Sequence, residues 1–161
     1  ETLRKLPFFA EFEDIELWEV LRISRWQRMA EKVVLIREGE SHRKFGVIID
    51  GFVEVSSSGR MICRLGASEV VGEMAFLHPS DSRRHATVVT LEPTEFLEIN
   101  SAALELGSDE LQDRFKNVLL VQVLGRLREA NRALTSLSGQ TAVQGSLSAS
   151  GLGLNPPLEL L

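Results

Sequence analysis

One cysteine, Cys63, stands among 161 residues, which excludes an internal disulfide and fits a reducing compartment. Long apolar runs are missing as well. The longest, such as residues 118–121, fall far short of the roughly 20 residues that cross a bilayer, so no transmembrane segment is expected. There is no basic excess: 18 Lys and Arg against 23 Asp and Glu leave a net charge of −5, which attracts neither nucleic acid nor an anionic membrane. The familiar catalytic signatures are absent too, with no P-loop, nucleophile elbow or zinc-protease motif. His42, His78 and Cys63 do not fall at metal-ligand spacing. Neither catalysis nor a metal or other cofactor is expected. The chain opens on Glu1, with no basic, apolar and small-residue leader after it. It is therefore expected to be a cytoplasmic piece of a longer protein whose effector lies elsewhere.

What is present is the composition of a globular domain with a core, 43% hydrophobic and 25% charged. Four segments are expected: a helical lead-in over 1–25, a strand-rich region over 26–100, helices over 101–137 and a flexible tail over 138–161. The stretch ending SRWQRM at Met29 reads as helical with a break at Pro7. Asp14 is placed to cap a helix whose Ile15, Leu17, Trp18, Val20, Leu21 and Ile23 would give a broad buried face. Short β-branched and apolar runs then recur at 33–36, 45–50, 52–55, 61–65, 86–91 and 95–99, separated by turn chemistry such as REGES, SSSG and EPT. That spacing predicts an antiparallel sandwich, roll or barrel.

After Asn100 the helical period returns. SAALEL is a short helix capped by Asn100 or Ser101, and a long helix opens at Ser108 with acids in its first turn. Leu120, Leu124, Leu127, Asn131 and Leu134 alternate spacings of four and three, which is a short coiled-coil seam. Residues 111–134 thus either pair with a second copy or pack on their own domain. The tail is rich in Ser and Gly and reads as a linker, leaving no room for a helix-turn-helix pair and hence for direct nucleic-acid binding. Its closing NPPLELL fits a vector remnant or a docking peptide.

The chemistry concentrates in GEMAFLHPSDSRRHAT, residues 72–87. A phosphate seeks backbone N–H groups at a helix start and a fixed guanidinium. Gly72 permits close backbone approach, Glu73-Met74-Ala75 can open a short helix, and Arg84 arrives on the next strand. Glu73 would repel a phosphate, so its partner must be a donor such as a ribose hydroxyl. Val55, Ile62 and Val71 would supply apolar walls. From these residues alone the reading is an anionic small-molecule site, set against a strand–turn–strand crossing with a surface ion pair.

The order of these blocks resembles the cyclic nucleotide-binding domains, the family of the sensor half of catabolite activator protein. Ile36-Arg37-Glu38-Gly39-Glu40 followed by residues 48–55 resembles that family's glycine-bearing strand pair. Residues 65–73 are similar to the approach to its phosphate-binding cassette, and Gly72 through Thr87 resembles the cassette itself. The resemblance spans about residues 1–135. It implies an α+β fold, an antiparallel β-roll of jelly-roll type flanked by N-terminal helices and a long C-terminal helix. It also implies that Glu73 accepts from the ribose 2′-hydroxyl and that Arg84 pairs with the cyclic phosphate of cAMP or cGMP. Backbone groups of Gly72, Met74, Ala75 and Ala86 would complete the cradle, with Ile62, Cys63 and Val71 facing base or sugar. His85 stands where the family often has Ser, Thr or Ala, at the phosphate's edge. Further departures are His42-Arg43 for a frequent Gly-Asp, Gly46 for an aromatic and Ser68 for a glycine. The function implied is a regulatory cyclic nucleotide module that passes occupancy through its C-terminal helix to an effector. The alternative is a degenerate domain of the same fold, used for dimerisation or protein docking without nucleotide.

Overall fold

The computed structural model describes residues 2–81 and 83–149. The chain opens with two 3-10 turns, Leu3–Lys5 and Pro7–Phe9, the second with Pro7 at its first position, where the missing N–H costs nothing. Helix α1 spans Asp14–Ile23. Its N-cap is Glu13 and not Asp14, which is the first helical residue; the Glu13 N–H donates to the Glu16 carboxylate at 2.7 Å. The buried face is also narrower than the sequence suggests. Leu17 and Val20 are buried, whereas Ile15, Trp18 and Leu21 are exposed.

Eight strands follow: β1 Ser24–Met29, β2 Val34–Ile36, β3 Lys44–Asp50, β4 Val53–Ser57, β5 Arg60–Leu65, β6 Val70–Val71, β7 Thr87–Thr90 and β8 Thr94–Asn100. Helix α2, Met74–Leu77, sits between β6 and β7. The strand region begins earlier than expected, because Ser24–Met29 is a strand paired along its length with β8 and not a continuation of the helix. The strands form two antiparallel sheets, ordered β1-β8-β3-β6 and β2-β7-β4-β5.

Strand β3 shows why one sheet can serve two cores. Side chains alternate faces along a strand, and here Phe45, Val47 and Ile49 join the core beneath the helices while Ile48 joins the interior of the roll. All are buried because the sheet is covered on both sides. The roll interior is aliphatic: Ile48, Val53, Leu65, Val71 and Val88, with Leu35, Ile36, Val55 and Cys63 partly buried against them. The helix-side core is aromatic. Phe115 meets Phe12 with ring centroids 5.1 Å apart and Phe45 at 5.8 Å, and Phe45 meets Phe76 at 6.0 Å. Gly51, at φ +92°, makes the turn from β3 to β4 under Thr94, leaving no space for a side chain.

Helix α3, Ser101–Leu104, is capped by Asn100, whose side chain accepts from the N–H groups of Ala102 and Ala103. The buried Ser101 donates from both its N–H and its hydroxyl to the Arg43 carbonyl, at 2.9 and 2.7 Å. Helix α4 runs Asp109–Ala149. It is anchored to α1 through Ser108, which donates to Glu19, and through Arg114, 3.4 Å from the buried Glu16. Compact packing divides the described residues after 122. Within the first unit, α4 buries Leu111, Phe115 and Leu119. In the second, Leu124, Leu127, Leu134 and Leu137 are exposed. Residues 138–149 of the expected tail belong to α4, and residues 150–161, including the terminal Leu-rich peptide, lie outside the described ones. Among the described residues no helix is long and apolar enough to cross a membrane.

Candidate functional site

Strand β6 ends at Val71, and the chain turns at Gly72 with φ +76°, a backbone region that disfavours residues with a Cβ. A Cβ there would stand 2.6 Å from Arg84 Nη1 and 2.9 Å from Ile36 Cδ1. The turn therefore needs glycine both for its conformation and for the close approach of the guanidinium. Glu73 follows as the N-cap of α2, with Met74 exposed and Ala75 and Phe76 buried.

Arg84 is the centre of the site. It is only 7% exposed. Nη1 donates to the Gly72 carbonyl at 2.9 Å and Nη2 donates to the Lys44 carbonyl. Nε, also buried, has no hydrogen-bond partner. Burial pulls the arginine's pKa below its ordinary value, and the nearby negative charge of Glu73 works the other way; the group remains a cation. Its backbone is held as firmly. The Arg84 N–H donates to the Glu40 carbonyl and the Arg84 carbonyl accepts from Gly39, both at 2.8 Å. A bridge between Ser41 and Arg83 and a bond from the Glu38 N–H to the Thr87 hydroxyl continue the lacing. The loop carrying Gly39 is thus what fixes the arginine.

The expected residues separate into those brought together and those set apart. Gly72, Glu73, Met74 and Ala75 follow one another through the turn into α2, with Arg84 bonded to its start and Ala86, partly buried, beyond. Val71 and Cys63 pack together in the roll interior with Val55. Ile62 does not join them. Val55 pairs with Cys63 and Ser56 with Met61, so Ile62 is the extra residue of a β-bulge and is 60% exposed. His85 also points outward, exposed, with Nε2 3.4 Å from the Asp81 carboxylate. Among the described residues no cluster of His, Cys, Asp and Glu could hold a metal.

Beside Arg84 lies a cavity of about 160 Å³ lined by Leu35, Ile36, Val71, Gly46, Phe96, Lys44 and Glu98, among others. Lys44 Nζ and Glu98 pair across it at 2.8 Å. The sequence reading did not single out Lys44, Phe96 or Glu98. The signal was available in register only: Gly46 faces Glu98 and Ile48 faces Phe96 in the β3–β8 ladder. Phe96 leans over Gly46, so that a Cβ on Gly46 would stand 3.0 Å from the Phe96 ring.

The chain belongs to the cyclic nucleotide-binding domain family, whose profile matches residues 26–106. It is 30% identical over 105 residues to the Pycsar effector protein PaPycTIR of Pseudomonas aeruginosa, a match covering 65% of this chain and 33% of the relative. The chain thus spans about a third of the length of the curated relatives that it first matches. In fold it is similar to a cyclic nucleotide-binding domain from Methylobacillus flagellatus, at TM-score 0.72, 23% identity and coverage of 84% of this chain and 80% of the other. It is also similar to the catabolite activator protein of Thermus thermophilus, at TM-score 0.66, 24% identity and coverage of 91% and 73%.

Proposed function

We propose that this chain is the sensor part of a longer protein: it binds a cyclic nucleotide, cAMP or cGMP, and its helices over 101–137 report occupancy to an effector. The observation that carries this reading is Arg84, a buried guanidinium with one donor unpartnered at the start of the turn into α2. Such a donor calls for an acceptor, and an anionic oxygen makes the strongest bond to a guanidinium. In this reading Arg84 takes the cyclic phosphate and Glu73 takes the ribose hydroxyl. Backbone groups of Gly72, Met74, Ala75 and Ala86 complete the cradle. The cavity beside Arg84 is small against the roughly 300–1,000 Å³ of ordinary ligand pockets. The nucleotide therefore lies across the open side of α2, where Met74 is exposed, with Val71 and Cys63 toward the roll interior. His85 stands at the rim. The β-roll over 26–100 is then the binding domain.

A second reading rests on the exposed Leu120, Leu124, Leu127 and Leu134 of α4: residues 111–134 form a seam with another copy, and the domain serves dimerisation or docking. Calorimetric titration with cAMP and with cGMP separates the two. Binding of one nucleotide should fall by at least about a hundredfold in Arg84→Ala, which loses charge-assisted bonds, and by about tenfold in Glu73→Ala, which loses a bond to a neutral hydroxyl. Unchanged affinity in Arg84→Ala overturns the site. No heat with either leaves the docking domain.

A further inference from the structure

Helix α4 buries Leu111, Phe115 and Leu119 against the helix-side core. Seven residues after Phe115, on the same face of the helix, the stripe does not continue with an apolar residue but with Gln122. Its amide makes two bonds to main chain. Nε2 donates to the Ser68 carbonyl at 2.7 Å, and Oε1 accepts from the Val70 N–H at 3.2 Å. Strand β6 lies at the edge of its sheet and, among the described residues, pairs with β3; on its other side the amide supplies part of what a neighbouring strand would.

The segment it holds is under strain. Ser68 has φ +71°, a conformation that a residue other than glycine keeps only where its surroundings enforce it. Its hydroxyl is buried without a partner. The surroundings do enforce it: the Ser68 N–H donates to the Ile48 carbonyl at 2.8 Å, and the Gly66 N–H donates to the Glu69 carboxylate at 2.7 Å. Close packing does not substitute for Gln122, because a groove of about 300 Å³ opens beside it, lined by Pro7, Phe8, Ser68, Val118 and Val121. Hydrogen bonds therefore join α4 to the approach of the cassette here. From Val70 the chain runs straight on through Val71 to Gly72, whose carbonyl holds Arg84.

We infer that Gln122 is a positioning residue that makes the first half of α4 and the Ser68–Gly72 approach open and close as one body. Its effect on ligand affinity rests on the sensor reading above; the mechanical linkage does not. Two variants of the 161-residue chain test it. Gln122→Leu has similar bulk and makes neither bond, while Gln122→Glu can still accept from Val70 but its carboxylate cannot donate to Ser68.

Amide hydrogen exchange is measured first without nucleotide. In Gln122→Leu the Val70 amide should exchange about tenfold faster, the loss of one net hydrogen bond. Protection of 70–75 and of 111–122, which should respond together to denaturant in the unsubstituted chain, should then separate. Amides of the β3–β8 ladder, unchanged, report that the fold is intact. Gln122→Glu should fall between. With nucleotide, the dissociation constant should shift severalfold in Gln122→Leu. Exchange of Val70 and α4 unchanged in Gln122→Leu overturns the inference. Altered exchange with unaltered affinity overturns its bearing on the ligand. If the unsubstituted chain binds no nucleotide, the sensor reading fails, and the ligand-free exchange still decides on Gln122.

Discussion

The two faces of the β1-β8-β3-β6 sheet bear on very different interiors. Beneath the helices lies an aromatic core in which Phe8, Phe9, Phe12, Phe45, Phe76 and Phe115 touch in sequence. Inside the roll lies a thinner aliphatic cluster, with partly buried members and a cavity beside the arginine. The first side is the more fully packed, and on the proposed sensor reading the second is the side that adapts to a ligand. A site that must exchange its occupant cannot also be the best-packed part of the molecule.

The sharpest test of this division is Phe115→Ala, which removes the ring at the junction of α4, the 3-10 segment and β3. Urea unfolding should show a loss of about 3–5 kcal/mol, the range for buried aromatic truncations. A loss of under about 1 kcal/mol, the level of surface substitutions, would mean that the helix side is not the stabilising core. On the roll side, Gly72→Ala should cost less stability, about 1–2 kcal/mol for a Cβ in the left-handed region. It should nevertheless weaken nucleotide binding out of proportion, because the new methyl group displaces Arg84. Equal losses in Phe115→Ala and Gly72→Ala, on both measurements, would erase the distinction.

The smallest effect belongs to the sheet's edge. Hydrogen bonds from Arg28, then from Trp26, hold the Glu95 carboxyl below its ordinary value. A carboxyl lowered by folding stabilises the protein above its unfolded pKa of 4.5, and that contribution disappears as pH falls through the lower folded value. Since the group is at the surface, the loss should be slight and sensitive to salt. Comparison of Glu95→Gln with the unsubstituted chain between about pH 5 and 3, across the ordinary carboxylate range, would show it as converging denaturation midpoints. Parallel curves would count against it.

Much of this arrangement could be read before the structure. Six strands announced themselves by β-branched runs between turn residues, and Gly72, Glu73 and Arg84 by their chemistry and spacing. The strand Ser24–Met29 did not, because Arg25, Gln27, Arg28 and Met29 favour helices locally and only pairing with β8 makes the segment extended. The two residues of β6 are too short to show a period. Ile62 reads as a wall of the site from its apolar character and the family resemblance, neither of which carries a trace of the bulge that leaves it exposed. Lys44, Phe96 and Glu98 were hidden because their proximity to Arg84 is a matter of register between distant strands, which no local pattern carries. Gln122 was passed over as one polar residue in a helix, its partners being main-chain atoms more than 50 residues earlier.

The glycine at position 46 and the phenylalanine at position 96 have a consequence for descent. Read one strand at a time, position 46 of β3 looks empty; across the ladder, the Phe96 ring fills the space above it. The two positions divide a single allotment of volume, so neither can change alone without either a clash or a hollow beside Arg84. Relatives that carry an aromatic at the first position are expected to carry something small at the second, and lineages that pass between the two states must cross a step in which the roll is overfilled or half empty.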